Sequence, residues 1–530
     1  MKTTTGFNFI RTQPGPDSVS LKKHFILCLA FFGLLFLVNA CQKPAAPEEE
    51  LLSISTPEAQ GVSSASILDF INAAEQEQPD ALHSLMIVRH GKTIAQGWWA
   101  PYNPDSPHLL YSLSKSFAST AIGLAVEEKL LSTDDLVISF FPEKVIDTTD
   151  NNLKAMRIHD LLRMNTGHLE DATGRTRSAG DDWVANFLSL PVERKPGTVF
   201  VYNSAATYIL SAILQKLTGQ TVVEYLQPRL FDPLEIKPPT WESDPKGINV
   251  GGWGLSVTTE DIAKFGQLYL QKGNWKGKQI IPEAWVEKAT SYLTSNGSNP
   301  ESDWEQGYGY QFWQCRHNAY RGDGAFGQYC IVIPEQDAVI AITSGSRDMP
   351  GILNLVWAHL LPAMNEAPMA EDTASQRLLA EKLASLKIAV VEGENTSAVS
   401  EEINGKSFEF AKNPLALEKV SFSKSGADMT ITLTNASGDQ VIPVGFGKTE
   451  NSQFSMPGRA TMQIASSGAW ISPDSYKVTM INYESPHART LTFTFKGKEM
   501  ECQVEENVSF GSTKMAPIKA TLMKELSPVL

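Results

Sequence analysis

The stretch Tyr111–Phe117, which reads YSLSKSF, decides how the rest of the chain is interpreted, because a long amphipathic helix is predicted to begin at Ser112. Ser112 and Lys115 are three residues apart, so on a helix their hydroxyl and amine face the same way. These are the two groups that a serine nucleophile activated by a lysine requires. The competing interpretation is that Ser112 is only the N-cap of the helix.

The Ser-x-x-Lys spacing alone is weak evidence, since it also begins at Ser20, Ser243 and Ser421. Ser20 lies ahead of a predicted export signal, and Ser421 lies in an alternating, strand-like stretch. Pro245 interrupts any short helix that Ser243 could start. Only Ser112 opens a predicted helix.

Composition excludes one large class of function. The chain has 530 residues, of which 42% are hydrophobic, enough for two domains on the usual scale of roughly 100 to 200 residues each. The formal net charge is −14, and no run rich in lysine and arginine provides a footprint for nucleic acid. We therefore expect no nucleic-acid partner.

The N-terminus is typical of an exported protein. Lys22 and Lys23 precede an uncharged run over residues 25–40, too short to span a bilayer but suited to a secretory signal. The run ends LVNAC at Cys41, which resembles the lipobox of bacterial lipoproteins. This predicts a signal peptide over 1–41, lipidation of Cys41 and attachment to the cell envelope through a lipid anchor, facing the periplasm or the exterior. An uncleaved membrane anchor is the alternative.

Beyond the signal, residues 42–60 read as a flexible tether rich in Pro, Ala and Glu. Cys315, Cys330 and Cys502 are the remaining cysteines, too few for a disulfide scaffold. Cys315 and Cys330 flank a predicted loop between two strands. They could pair in an oxidising compartment or stay as two buried thiols.

The region 61–365 is predicted to be an α+β domain, an antiparallel sheet flanked by helices with a large all-α insertion. Short β-rich runs flank a turn at His90-Gly91, and further strands come only much later in the chain. Between them the periodicity is mostly helical. The predicted strands are 85–89, 93–98, 309–313, 328–333 and 337–342, and the clearest later helices are 158–163, 206–217 and 259–270.

The character of the chain changes after Leu361. Residues 366–400 are predicted to be a helical linker, with a charged helix over 371–386. Alternating runs separated by turn residues then fill 401–530, which predicts an all-β sandwich or barrel. The strands 429–433, 476–480 and 490–495 are the clearest. No constellation in this region indicates chemistry, so a structural or docking module is the favoured interpretation.

Two further segments could meet the Ser112 helix. Val201–Ser204 (VYNS) places a tyrosine and a small hydroxyl residue at the start of a helix. Gly322–Gln328 (GDGAFGQ) is a glycine-rich approach to a strand, where a backbone N–H can be offered to a carbonyl oxygen. In isolation, each segment is weak evidence.

Taken together and in this order, these segments resemble those of the class C β-lactamase-like serine hydrolases. That superfamily includes β-lactamases, DD-peptidases, esterases and 6-aminohexanoate-dimer hydrolases. The resemblance covers about residues 83–361 and extends beyond the catalytic motifs. It includes the segments IHDLLRMNTG at 158–167, FDPL at 231–234 and GWGLSVTTEDIA at 252–263.

The resemblance implies roles for individual residues. Ser112 would be the acylated nucleophile, Lys115 its proton partner and Tyr202 the tyrosine of the family's Tyr-x-Asn motif. The backbone N–H groups of Ser112 and Ala325 would form the oxyanion hole. From reference pKa values near 10, ionising the tyrosine or neutralising the lysine at pH 7 costs roughly 4 kcal/mol each. We therefore expect Lys115 and Tyr202 to share one proton if they touch.

The chain departs from the β-lactamase pattern in two places. Gly322 stands where the third motif would carry Lys or His two residues before Gly324, and Ser204 stands where the second motif would carry Asn. The β-lactamases use the missing cation to hold the antibiotic's carboxylate. Ser204, Gly324 and Ala325 are predicted to contribute to substrate and oxyanion binding. The combination is similar to the esterase and 6-aminohexanoate-dimer hydrolase branch.

The sequence thus predicts an exported serine hydrolase that forms an acyl-enzyme on Ser112 and cleaves a small ester, amide or peptide. No cofactor or metal is expected, because the histidines are scattered and neither a Gly-x-Ser-x-Gly elbow nor a zinc-binding histidine cluster is present. His168 is predicted to be a loop residue near the rim of the site. The alternatives are a non-turnover penicillin- or peptidoglycan-binding protein and, less favoured, a true β-lactamase. Substrate and oligomeric state are not readable.

Overall fold

In the computed structural model, the hairpin at His90-Gly91 joins the first two strands of the main sheet. Both turn residues have positive φ, 49° and 70°, as a two-residue type I′ turn requires. The structure describes residues 51–144, 150–458 and 460–524. The predicted signal peptide, Cys41 and the first part of the tether lie outside these residues.

The region 61–365, which the resemblance predicts to be catalytic and which is called the catalytic region below, contains eleven strands and eleven α-helices among its described residues. The strands are β1 Leu82–Arg89, β2 Lys92–Trp98, β3 His108–Leu109, β4 Thr240–Trp241, β5 Leu255–Val257, β6 Asn274–Trp275, β7 Lys278–Gln279, β8 Trp313–Gln314, β9 Tyr320–Gly324, β10 Gln328–Ile333 and β11 Ala338–Ser344. The helices are α1 Ser64–Glu77, α2 Ser114–Glu127, α3 Asn151–Ala155, α4 Ile158–Leu162, α5 Thr173–Ser178, α6 Trp183–Ser189, α7 Ser204–Thr218, α8 Val222–Leu226, α9 Thr259–Leu270, α10 Glu283–Ala289 and α11 Met349–Leu355.

The main sheet is antiparallel, in the order β2-β1-β11-β10-β9-β8. Its central strands are buried throughout, because helices cover both faces. Alternate side chains of β10 enter two different apolar cores: Cys330 packs with the α2 and α9 side, and Ile331 with the α1 side. The predicted α+β architecture with a helical insertion is confirmed.

Strand β9 was not predicted, and the strand expected over 309–313 is wrong. Most of that stretch is a loop in which Gln311 has a φ of 65°, and only Trp313 is in a strand. Residues 320–324 read YRGDG, and glycine and aspartate are poor strand formers. The pairing of β9 with the central β10 overrides that preference.

Cys315 and Cys330 lie on opposite faces of the main sheet. Cys330 lies in the core on the α2 side and Cys315 in the core on the α1 side. Both are free buried thiols, as is Cys502, so the alternative of a Cys315–Cys330 disulfide is not found.

The C-terminal region forms one ten-stranded antiparallel sheet, in the order β15-β14-β13-β12-β21-β20-β19-β18-β17-β16. Hydrogen bonds between Gly445 and residues 466–468 bring the two ends of the sheet together, so the sheet nearly closes into a barrel. Alternate side chains fill its apolar interior. Its elements, with the two preceding helices, are α12 Thr373–Ala384, α13 Ala398–Ile403, β12 Ser407–Phe410, β13 Lys419–Ser425, β14 Asp428–Asn435, β15 Gly438–Val444, β16 Glu450–Phe454, β17 Met462–Ser472, β18 Ser475–Asn482, β19 Ala488–Lys496, β20 Glu499–Glu506 and β21 Ile518–Leu522.

The barrel packs against the catalytic region, and the described residues from Leu51 onward form one compact unit. Leu109 N donates to the Glu484 carbonyl at 2.9 Å, and the Tyr111 hydroxyl lies 2.6 Å from His487 Nε2. Within the described ranges, no helix is both long and apolar enough to cross a bilayer.

Candidate active site

Ser112 lies in a 3-10 turn, Tyr111–Leu113, that leads directly into α2. The predicted helix therefore begins as a tighter turn, and the α-helical part starts two residues later than expected. Leu113 occupies the N-cap position, and no side-chain capping bond is made there. The Ser112 hydroxyl instead accepts a hydrogen bond from Lys115 Nζ at 3.0 Å. The capping interpretation of Ser112 does not account for this arrangement.

Lys115 is buried, with 1% of its surface exposed, and its ammonium is held by three oxygen acceptors. Besides Ser112 Oγ, Nζ donates to Ser204 Oγ at 2.9 Å and to the Gly252 carbonyl at 2.6 Å. Burial lowers the pKa of Lys115 to about 7, against the opposing effect of the carboxylates of Asp171 and Asp323. Near neutral pH, a large fraction of this amine is unprotonated and can accept a proton from Ser112.

Tyr202 forms the wall beside Lys115. Lys115 Nζ lies over the face of the ring, 4.8 Å from its centre, and the other face stacks on Trp313 at 5.2 Å. Burial raises the pKa of the Tyr202 phenol far above its usual value, even though a hydrogen bond with Ser112 acts in the opposite direction. The phenol is thus a neutral hydrogen-bonding group, and the lysine is better suited to be the base. The expected sharing of one proton between Lys115 and Tyr202 stays a prediction.

Ser204 is the first residue of α7, whose N-cap is Asn203. The Asn203 side chain accepts from Ala205 N at 3.1 Å and is fully buried, which fixes the start of the helix. Ser204, predicted to bind substrate, is placed against Lys115 by this arrangement. A hydroxyl in contact with an amine can both accept and donate a proton.

The Gly252 carbonyl is a part of the site that sequence reasoning missed. A Cβ added at Gly252 would lie 2.9 Å from the Ser204 carbonyl oxygen, closer than real Cβ contacts allow. Glycine therefore lets this backbone approach α7 and accept from Lys115. The GWG segment was noted as part of the family resemblance, but a carbonyl acceptor leaves no side-chain signature.

Gly324 lies against the backbone that precedes Ser112. A Cβ added there would be 1.9 Å from the Leu110 carbonyl oxygen and 3.1 Å from Ser112 N. The absence of a side chain thus brings the end of β9, and Ala325 after it, beside the Ser112 backbone. This is the proximity that two backbone N–H groups need in order to bind one oxyanion.

Gly322, where the β-lactamase pattern carries a cation, lies against helix α2. A Cβ added there would be 2.5 Å from Leu113 Cδ1 and 2.6 Å from Ser116 Oγ. Charge is present on the two neighbouring residues instead: buried Arg321 forms an ion pair with Asp323 at 2.9 Å and stacks on Trp304 at 4.4 Å. Sequence reasoning did not single out this pair.

His168 does not lie at the rim of the site. It is fully buried, its Nδ1 lies 3.0 Å from Thr166 Oγ1, and burial lowers its pKa to about 4. Within the part of the chain that the structure describes, no three His, Cys, Asp or Glu side chains are grouped so as to hold a metal ion.

The comparison with protein families agrees with this geometry. The sequence model of the Beta-lactamase family matches residues 71–357, more than half of the chain. The chain belongs to the Beta-lactamase family. Members of this family share the β-lactamase serine hydrolase fold, and the matched range contains Ser112, Lys115, Tyr202 and Gly324.

Among relatives, the 6-aminohexanoate-dimer hydrolase of Paenarthrobacter ureafaciens is 25% identical over 363 residues, which cover 63% of this chain and 89% of that protein. Penicillin-binding protein 4 of Amycolatopsis lactamdurans is 24% identical over 52% of this chain and 82% of its own length. The octameric penicillin-binding protein homologue from Pyrococcus abyssi, a solved structure, is 16% identical with a TM-score of 0.46, covering 86% of this chain and 99% of that one.

Proposed function

We propose that this Beta-lactamase family member is an exported serine hydrolase that cleaves small esters or amides through an acyl-enzyme on Ser112. The observation that carries the proposal is the 3.0 Å hydrogen bond between Ser112 Oγ and Lys115 Nζ, combined with a lysine pKa of about 7. A nucleophile in contact with a base whose pKa is near neutral has the pairing that acyl transfer requires.

In the acylation step, Ser112 Oγ attacks the carbonyl carbon of the substrate and its proton passes to neutral Lys115. The carbonyl oxygen becomes an oxyanion, held by the N–H groups of Ser112 and Ala325. When the tetrahedral intermediate collapses, the bond to the leaving group breaks. The leaving group takes a proton from the Lys115 ammonium, directly or through the hydroxyl of Ser204 or Tyr202.

Deacylation repeats these steps with water. A water molecule attacks the acyl carbon and gives a proton to Lys115, and the bond to Ser112 Oγ breaks as the serine takes that proton back. The products are a carboxylic acid and the regenerated enzyme. Lys115 acts as base and then as acid in both halves of the reaction, so it has the largest role after the nucleophile.

Two observations favour a small ester or amide over a β-lactam. The relative from Paenarthrobacter ureafaciens is named 6-aminohexanoate-dimer hydrolase, and a dimer of an amino acid is joined by an amide bond. At position 322 the chain carries glycine, so the cation that holds an antibiotic's carboxylate in the β-lactamases is absent from this position. A true β-lactamase is therefore the less favoured reading.

The second candidate function is a penicillin- or peptidoglycan-binding protein that acylates without turnover, and the relative named penicillin-binding protein 4 is what favours it. Incubation with a fluorophosphonate probe and a panel of p-nitrophenyl esters separates the two. We expect labelling and turnover by the wild type and neither by Ser112→Ala. Ser116→Ala, in the first turn of α2, is the matched control. Labelling without turnover would favour the binder, and the absence of both would refute the hydrolase.

Export through a lipid anchor is proposed from the LVNAC segment ending at Cys41. We expect the full chain to fractionate with membranes and to label with palmitate, and Cys41→Ser to lose the label. Palmitate labelling of Cys41→Ser would exclude this anchor.

A further inference from the structure

A cavity of about 590 Å³ lies between the catalytic region and one end of the barrel, and Tyr111, the residue before Ser112, is part of its lining. Leu109 and Tyr111, from the segment just before Ser112, line one side of it. The barrel supplies most of the remainder, from strands β16 to β20 and the segment that follows β20. A cavity of this size is within the range that holds small organic ligands.

Two rings of the cavity lining, Tyr111 and Phe510, pack against Phe326, which follows Ala325 in the chain. The Tyr111 ring lies 5.5 Å from that of Phe326 and 5.6 Å from that of Phe510, and the latter two are 4.9 Å apart. Tyr111 precedes Ser112 in the chain and Phe326 follows Ala325. The barrel residue Phe510 therefore lies next to the pair of residues whose N–H groups would hold the oxyanion.

Eleven of the twenty lining residues are apolar, and several of them are flexible. Four of the chain's fourteen methionines lie in it, together with Phe454 and Ile464. Methionine side chains are flexible and polarisable, so they fit chains of variable shape. The four methionines are Met456, Met462, Met480 and Met515.

The charged lining groups are already engaged with other parts of the protein. Arg489 is paired with Glu506 at 2.7 Å, and Glu242 accepts from Trp253 Nε1 at 3.1 Å. The cavity thus favours an uncharged, flexible chain over an ionic group.

The position of the cavity indicates which half of a substrate it would take. A leaving group has to lie where Lys115, Ser204 or Tyr202 can protonate it, and the Tyr202 ring belongs to the wall formed with Trp313. Tyr111 belongs to a different ring cluster, with Phe326, His487 and Phe510. The acyl group, bonded to Ser112, is therefore the half directed to the cavity.

We propose that this cavity is the acyl-binding subsite and that the substrates carry an extended aliphatic acyl chain. The proposal rests on the proposed function, since it names the substrate class of the same serine. It also gives the barrel a role: its open end completes the site and sets the preferred acyl length.

The test uses the full chain and p-nitrophenyl esters from acetate to dodecanoate, in which the leaving group is constant. Each CH₂ group that enters the cavity is expected to raise kcat/KM about two- to fourfold. For the wild type we expect decanoate to exceed acetate by at least tenfold. Met462→Trp and Met515→Trp fill the cavity, so the decanoate-to-acetate ratio should fall at least tenfold. Met523→Trp, at an exposed barrel methionine outside the cavity, is the matched control and should retain the wild-type ratio.

An unchanged decanoate-to-acetate ratio in both filling variants would overturn the proposal. A second measurement separates this failure from failure of the proposed function. Calorimetric titration of Ser112→Ala with dodecanoate should show binding with a negative heat-capacity change, which Met462→Trp weakens at least tenfold. If the wild type turns over no ester but Met462→Trp weakens dodecanoate binding, the subsite is supported and the hydrolase function is refuted. Ester turnover that is independent of chain length, without dodecanoate binding, would refute the subsite alone.

Discussion

The surroundings of Lys115 and the core of the barrel bury very different groups. Around Lys115, a buried amine is surrounded by the hydroxyls of Ser112 and Ser204 and by a backbone carbonyl. In the barrel, Leu491 and its neighbours Val478 and Val504 bury hydrocarbon against hydrocarbon. Burial of the amine costs free energy and changes its pKa, whereas burial of the aliphatic side chains stabilises the fold.

This contrast implies that the two regions should respond to substitution in opposite ways. Substitutions beside Lys115 should change the reaction and leave the fold nearly as stable. Substitutions in the barrel core should lower the free energy of unfolding and leave the chemistry of each folded molecule unchanged. Three predictions put this separation to the test.

The largest effect is expected from Lys115→Met. If Lys115 is base and acid in both half-reactions, kcat should fall by about 10⁴-fold, the upper end for general acid–base catalysis. The free energy of unfolding should change by only about 1 kcal/mol, because relief of the buried amine opposes the loss of its hydrogen bonds. Ester kinetics and urea denaturation measure the two quantities.

Lys216→Met, which removes an exposed lysine paired with Glu143, is the control for Lys115→Met and should retain activity. If Lys115→Met kept more than a tenth of the wild-type kcat, the role of this lysine as the proton carrier would be excluded.

The next largest effect is expected from Leu491→Ala in β19. Leu491 is 2% exposed, so the truncation should lower the free energy of unfolding by about 2–5 kcal/mol. At a temperature where both proteins are folded, kcat for p-nitrophenyl acetate should match the wild type. Thr492→Ala, on the opposite face of the same strand, should change stability by less than about 1 kcal/mol. A large loss of kcat in folded Leu491→Ala would show that the barrel core and the catalytic residues are coupled.

Much of this architecture could be predicted because it depends on local patterns. The turn residues at His90-Gly91 fix a hairpin, and the run Thr259–Leu270 has its capping box and its helical periodicity in the sequence. The alternation after Phe408 predicts strands whose alternate faces are buried. The motif around Ser112 was recognisable because both of its side chains lie within one helical turn.

The remaining features depend on tertiary contacts that a linear pattern does not carry. Strand β9 is held by its partner β10 and not by the propensities of Arg321 and Asp323. The Gly252 carbonyl binds Lys115 because glycine lets this backbone approach Ser204 at the start of α7. Phe510 comes beside Tyr111 only when the barrel packs on the catalytic region. The sequence could predict a barrel, but not which end of it opens toward Ser112.

The smallest and most diagnostic effect concerns pH. Because burial lowers the pKa of Lys115 to about 7, kcat/KM should rise with pH through about 7 and then level off as the amine becomes neutral. Ser204 accepts a hydrogen bond from the ammonium and so favours the charged form. Its removal in Ser204→Ala should lower this pKa further, moving the rising limb to lower pH by up to about one unit.

The Ser116→Ala variant is the control for the pH profile, since the Ser116 hydroxyl donates to the Gln311 carbonyl and not to the lysine pair. Its rising limb should coincide with that of the wild type. A limb that moves to higher pH in Ser204→Ala would mean that the titrating group is not the Lys115 amine. Tyr202 would then be the next candidate for the base. The contrast between the catalytic site and the barrel core could no longer be explained by the buried amine of Lys115.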